Sequence, residues 1–276
     1  EEIERKIDSS VEFYKNFPAR VRYGLSIHAQ YTCSEATLRA VKRAADKYGF
    51  PLLAHMSETR GEVESCIGQT GKTPVEYLYG LGLFENGGAG FHCVHVTDRE
   101  IDLMAENGVA AVTCPCSNLK LASGVAPVAK MAARGVKIGI GTDGAASNNA
   151  LDMFRETYLA SVLQKYREND AAAFGAEQAL RAATAAASFG FCGAEGLKRG
   201  AYADMVMIDL GAPNMRPRND VINNVVYAAG RQNVLMTVSG GRIVYENGVP
   251  DVGEDLNALY ADCEDIAERI ARETAG

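Results

Sequence analysis

The sequence predicts an α/β protein built on a parallel sheet covered by helices, of the barrel type whose chemistry gathers at the C-terminal ends of its strands. Three observations predict it. A strand-then-helix unit recurs five times within residues 21–143, at intervals of roughly 20 to 40 residues. A Thr-x-x-Glu pair of the capping-box type stands between strand and helix in three units: Thr32 with Glu35, Thr59 with Glu62, and Thr97 with Glu100. Finally, His28, His55, His92 and Asp143 each close an apolar run, and these include three of the four histidines in the chain.

Taken in order, Ile3, Ile7, Val11 and Tyr14 fall at helical spacing, so the chain opens inside an amphipathic helix. Val21 to Ile27 reads as the first strand and ends at His28; the helix after it carries Leu38, Val41, Ala45 and Tyr48 and closes at Gly49. Phe50 to Ala54 ends at His55, followed by a helix towards Gly71 and another from Pro74 to Leu81. Ala89 to Phe91 ends at His92, and its helix closes at Gly108. Val109 to Thr113 breaks at Pro115, and a helix from Val125 to Arg134 stops at Gly135. Val136 to Ile140 is the fifth strand, leading through Gly141 and Thr142 to Asp143.

Beyond the repeat, residues 152–167 and 177–189 read as helices. Met205 to Asp209 is a strand, and Val234 to Val238 with Arg242 to Tyr245 form a hairpin through Gly240-Gly241. Asp204 reads as a turn residue. Residues 253–273 form an acidic amphipathic helix, with Leu256, Leu259, Cys263 and Ile266 on the face expected to pack on the outside of the fold. The expected organisation is a catalytic β/α unit over 1–195, a small β domain over 196–250, and a C-terminal helix over 251–276.

At 276 residues and 47% hydrophobic, the chain can bury a large core. A net charge of -7 without a Lys/Arg run argues against nucleic acid or an anionic membrane as partner and favours a small molecule. No apolar run approaches the roughly 18 residues of a membrane span, and residues 1–20 lack signal-peptide order. Seven scattered cysteines suit reduced thiols, so the cytoplasm is the expected location.

A single histidine at a strand end is better explained as a cap or a satisfied core residue. Three with an aspartate in matching positions point to one shared site. Imidazole and carboxylate together suit one divalent transition metal per site, zinc most often, with iron as the alternative; such an ion lowers the pKa of a water towards about 7. Glu58 lies three residues past His55, on the rim, where it can shuttle protons or simply favour the helix dipole. His95 suits a supporting role. Cys114 and Cys116 flank a proline, but their spacing is wrong for a zinc signature and no His-x-Glu accompanies them, so they read as packing residues.

The stretches His55-Met56-Ser57-Glu58-Thr59, Phe91-His92-Cys93-Val94-His95, Cys116-Ser117-Asn118-Leu119-Lys120-Leu121 and Gly141-Thr142-Asp143-Gly144-Ala145-Ala146-Ser147-Asn148-Asn149 closely resemble the amidohydrolase superfamily. Within it, the nearest likeness is to the 5-methylthioadenosine/S-adenosylhomocysteine deaminases. The resemblance implies a (β/α)8 barrel of the metal-dependent hydrolase type plus a small β-sandwich domain. It implies that His55 and Asp143 ligate the metal, that Asp143 also takes a proton from the attacking water, and that His92 orients that water or polarises the reacting centre. Glu58 matches the glutamate that bonds the substrate ring and relays a proton to it, and His28 a histidine that contacts the nucleoside. The implied reaction is hydrolytic deamination of an adenine nucleoside at C6, with loss of ammonia.

The family's His-x-His pair at the end of barrel strand one has no counterpart in the sequence. The five units then correspond to strands 4–8, and an upstream polypeptide carrying strands 1–3 and the two histidines is the expected partner, together with a homo-oligomer of the family's kind. Two alternatives stay open: another hydrolase of the superfamily, acting on guanine, a cytosine-like ring or a chlorotriazine, and a catalytically silent fragment.

Overall fold

Five short parallel strands and the helices between them make the larger of two compact units. The computed structural model describes residues 2–17, 23–185, 196–251 and 253–274. The chain opens with α1 (Glu2–Tyr14), then β1 (Leu25–Ser26), α2 (Glu35–Tyr48), β2 (Leu52–Met56), α3 (Arg60–Thr70), α4 (Pro74–Gly80) and β3 (Gly88–His92). It continues through α5 (Asp98–Glu106), β4 (Ala110–Thr113), α6 (Pro115–Lys120), α7 (Val128–Ala133), β5 (Ile138–Ile140), α8 (Met153–Glu168) and α9 (Ala176–Ala183). The strands pair in sequence order, β1-β2-β3-β4-β5, and every pairing is parallel. This is the β/α architecture expected from the repeat.

Register follows from local chemistry. Pro51 has no N–H to give a ladder, so β2 begins at Leu52 rather than Phe50, and β1 pairs with it only from Leu25. Val21 and Arg22, expected in that first strand, lie outside the described residues. β2 and β3 meet at Leu52 and Gly88, where a Cβ on Gly88 would run into the Leu52 carbonyl; its φ of +146° also demands glycine. Strand residues Leu52, Ala54 and Met56 are buried and belong to one apolar core with Leu38 of α2, Leu78 of α4 and Ile101 and Met104 of α5. α1 buries Ile7 and Val11 and is tied to α2 where the Tyr48 hydroxyl donates to Asp8 at 2.6 Å.

Two of the three expected capping boxes form as read, at Thr59/Glu62 and Thr97/Glu100, and Thr73/Glu76 adds one more before α4. The first differs. Thr32 is taken up in a single 3-10 turn, its hydroxyl donating to the Ala29 carbonyl, and Ser34 caps α2 by accepting from the Thr37 N–H at 3.2 Å. Pro115 does more than end β4: it is the first residue of α6, where its missing N–H costs nothing. The helix expected over 177–189 ends at Ala183, and residues 186–189 lie outside the described residues.

The second unit holds β6 (Met205–Ile208), β7 (Val234–Ser239), β8 (Arg242–Glu246), β9 (Val249–Pro250) and α11 (Leu256–Thr274). Its strands form one antiparallel sheet in that order. Asp204 acts as the turn residue it was read to be, accepting from the Gly240 N–H at 2.6 Å. None of the residues of α11 is buried, and the helix belongs to the second unit together with the sheet rather than standing as a separate segment. The division differs from the expected boundary in a second respect. Residues 210–232, with α10 (Val221–Tyr227), belong to the larger unit, where Tyr227 and Ser161 of α8 share a hydrogen bond of 2.9 Å. Among the described residues, no helix is long and apolar enough to cross a membrane.

Candidate active site

The C-terminal ends of β2, β3 and β5 bring one donor atom each from His55, His92 and Asp143 within 4.8 Å of one another. Among the described residues this is the group suited to a cation, and two imidazoles with a carboxylate are donors that fit a divalent transition metal. His55 is the penultimate residue of β2 and His92 the last of β3, while Asp143 stands three residues beyond β5. The backbone leaves each strand in a left-handed conformation, at Ser57 (φ 51°), His92 (φ 67°) and Asp143 (φ 61°). Such strain in non-glycine residues persists where surrounding bonds over-determine it, and it concentrates at functional sites.

Those bonds fix which nitrogen each imidazole presents. The Nδ1–H of His55 donates to the His28 carbonyl at 2.7 Å, leaving Nε2 as the lone-pair donor. His92 is 1% exposed, and its Nδ1–H donates to Asn118 Oδ1 at 2.7 Å, with the same consequence. Its Nε2 lies 3.8 Å from Glu58 Oε2. The two rings stack, with centroids 5.3 Å apart.

Asp143 is held from three sides. Its Oδ2 accepts from the hydroxyls of Ser117, at 2.6 Å, and Ser147, at 2.7 Å; its Oδ1 accepts from the Gly144 N–H at 2.8 Å. Partial burial works to raise its pKa, but those three bonds, with the attraction of His92, outweigh it and keep the carboxyl below the usual range. A carboxylate offers about four lone-pair sites. Three are taken here, so one remains for a cation or an attacking water.

Glu58 reaches the same space from the loop after β2. Its Oε1 accepts from the Ser123 hydroxyl at 3.0 Å, across 65 residues of sequence. The loop itself is pinned from below, since the Glu62 carboxylate of the capping box accepts from the N–H groups of Ser57 at 3.1 Å and Glu58 at 2.7 Å. His28 lies on the exposed rim with its ring 4.6 Å from that of His55. His95 stands back from the group, its Nε2–H donating to the Ser123 carbonyl at 2.8 Å. The Cys114 thiol is pushed up to about 12, by burial first and then by the charges of Asp143 and Glu156.

All five residues singled out from sequence are thus at one rim, although His28 enters through its carbonyl as well as its ring. Sequence reasoning missed the residues that hold them: Ser117, Asn118, Ser123 and Ser147. The stretches Cys116–Leu121 and Gly141–Asn149 carry three of the four, but no local pattern says which strand end each would serve.

A profile of the amidohydrolase family matches residues 1–244. The chain is 40% identical over 230 residues to the 5'-deoxyadenosine deaminase of Methanopyrus kandleri, covering 83% of this chain and 53% of that protein. It is 36% identical over 257 residues to the 5-methylthioadenosine/S-adenosylhomocysteine deaminase of Caldanaerobacter subterraneus, covering 92% and 59%. A solved structure of an adenosine deaminase from Xanthomonas campestris with bound zinc superposes with a TM-score of 0.92 at 35% identity, over 97% of this chain and 61% of that one. The chain spans about half the length of the curated relatives it matches. With residues 1–244 of its 276 matched by one family model, the chain belongs to the amidohydrolase family.

Proposed function

We propose that the protein, at its natural length, hydrolyses the exocyclic amine of an adenine nucleoside to give the inosine product and ammonia. The substrate class is that named for the relatives: 5-methylthioadenosine, S-adenosylhomocysteine, 5'-deoxyadenosine or adenosine. The observation that carries the reading is the approach of Glu58 to His92 at 3.8 Å, beside the His55–His92–Asp143 group. It sets a proton carrier next to a place where water can be activated.

His55 through Nε2 and Asp143 through its remaining lone pair would hold the ion, completed by ligands beyond this chain. When bound, a divalent metal, zinc in the first instance, acts as a Lewis acid that makes a water nucleophilic at neutral pH. Asp143 would accept a proton from the attacking water at Oδ2, in exchange for one of its two serine hydroxyl bonds, as the water oxygen bonds to C6 of the ring. Glu58 donates to the ring nitrogen, and the lone pair of His92 Nε2 accepts from the attacking water and fixes its direction. The proton held by Asp143 passes to the amine, which leaves as ammonia; the Glu58 proton stays on the ring nitrogen, and the C6 hydroxyl returns its proton to Glu58 as C6 keeps the oxygen. His28, exposed on the rim, would meet the sugar.

The test is ammonia release by the protein at its natural length, loaded with zinc or with iron, on a panel of adenine nucleosides, with guanine, cytosine and a chlorotriazine as comparators. Ammonia from the adenine nucleosides at a kcat/KM well above the comparators is expected. Chloride from the triazine, or ammonia from guanine alone, would overturn the substrate assignment.

A further inference from the structure

Glu156, in the first turn of α8, is 0% exposed, and among the described residues no Lys or Arg is bonded to its side chain. Its sequence position would suit an ordinary first-turn acid facing water and the helix dipole. Instead its Oε2 accepts from the Cys116 N–H at 2.9 Å, and its Oε1 accepts from Asn148 Nδ2 at 2.6 Å. The same Asn148 amide gives its other hydrogen to the Thr142 carbonyl at 2.7 Å. One carboxylate therefore joins two loops. Cys116 precedes Ser117, whose hydroxyl bonds Asp143; Thr142 precedes Asp143 itself; Asn148 follows Ser147, the second hydroxyl on Asp143.

We infer that Glu156 is a positioning residue for Asp143: it locks the loops after β4 and β5 together, so that both hydroxyls meet the same carboxylate oxygen. The inference deepens the deaminase reading and rests on it for its kinetic arm. A buried acid without a cation is costly unless its oxygens are bonded, which argues that this one is kept for the two loops it ties. The donors are an amide N–H and a side-chain NH2, so both positions require an acceptor. Glutamine in its place has the same shape but presents one NH2, which must face one of these donors and release that loop.

The experiment compares Glu156→Gln, Asn148→Ala and the pair with Ser161→Ala, in the zinc-loaded protein at its natural length. Ser161 lies on the same helix and also loses buried hydrogen bonds when truncated, to the Phe174 carbonyl and to Tyr227, but it touches neither loop. Expected for Glu156→Gln is a fall of about tenfold in kcat with KM unchanged, and loss of zinc to EDTA about tenfold faster, as for other groups that orient metal ligands. Ser161→Ala should lower the thermal midpoint while leaving kcat and zinc loss at wild-type values, and the Glu156–Asn148 pair should be no worse than the poorer single variant. Wild-type values for Glu156→Gln in both assays overturn the inference, as does a loss of kcat that simply tracks the thermal midpoint across all variants. If the wild-type protein releases no ammonia, the deaminase reading fails on its own, and the EDTA comparison alone decides the role of Glu156.

Discussion

At the strand ends of the larger unit, Glu62, Asn118, Ser123, Asn148 and Glu156 are each less than a tenth exposed, and each is bonded to another polar group. In the smaller unit the relation inverts. Met205, Val206, Met207, Ile243 and Val249 of its sheet are exposed, no residue of α11 is buried, and its charges meet in surface pairs such as Arg272–Glu268. Burying a polar group costs free energy unless it is fully bonded, and a bonded network holds its members in one geometry. Surface pairs of the second kind contribute about 0–1 kcal/mol and fix little. The contrast teaches where to look for chemistry: at the rim where polar side chains are buried and over-determined, not where charge is most abundant.

The strongest way to break that contrast is to remove the residues the rim presents. Asp143→Ala or His55→Ala is expected to lower kcat/KM for ammonia release at least roughly a thousandfold, the several kcal/mol a bound ion contributes, with metal stoichiometry falling in step. Activity within tenfold of wild type would remove the rim from the mechanism. Glu58→Gln is expected to cost roughly a hundredfold or more while leaving metal content intact, as befits loss of a proton carrier rather than a ligand. A metal content that falls as well would make Glu58 a ligand instead.

A smaller effect sharpens the comparison. Asn118→Ala deprives the His92 Nδ1–H of its acceptor, so the ring no longer has one enforced tautomer; kcat should fall about 10- to 100-fold at constant KM. Arg272→Ala, which breaks an exposed pair in the other unit, should change kcat by less than twofold. Equal losses from the two substitutions would mean that burial of the polar network carries no special weight.

Much of this rim is readable along the chain because each strand end is a local pattern: a few apolar residues, then His55, His92 or Asp143. Thr59 with Glu62 is readable for the same reason, since partners three residues apart meet in any helix start. The supporting network is not. Asn118 is 26 residues from His92, Ser123 is 65 from Glu58, and Glu156 is 40 from Cys116, so each contact exists only once the strands have taken their register. Glu156 is hidden further, because the first turn of a helix is where an acid is ordinarily exposed. The short helices α6 and α10 escape the periodicity argument because six or seven residues give fewer than two turns of pattern. The cap at Ser34 rather than Thr32 turned on a 3-10 turn that the Thr-x-x-Glu spacing does not reveal.

The smallest expected effect concerns thiols, and it tests the contrast without touching activity. Cys263 lies exposed on α11, whereas Cys66, Cys93, Cys114 and Cys116 are buried. Burial raises the pKa of all four, with Cys114 and Cys116 pushed up to about 12. Only the thiolate attacks a disulfide reagent, and a pKa raised that far leaves almost none of it at pH 8, so access and ionisation both protect the buried group. Titration of the native protein should therefore show one fewer fast thiol in Cys263→Ser than in the wild type, while the four buried thiols react only after unfolding. The substitution should leave ammonia release and the thermal midpoint unchanged. If Cys263→Ser leaves the number of fast thiols unchanged, α11 is covered in solution, and the smaller unit is less unlike the rim than its exposed surface indicates.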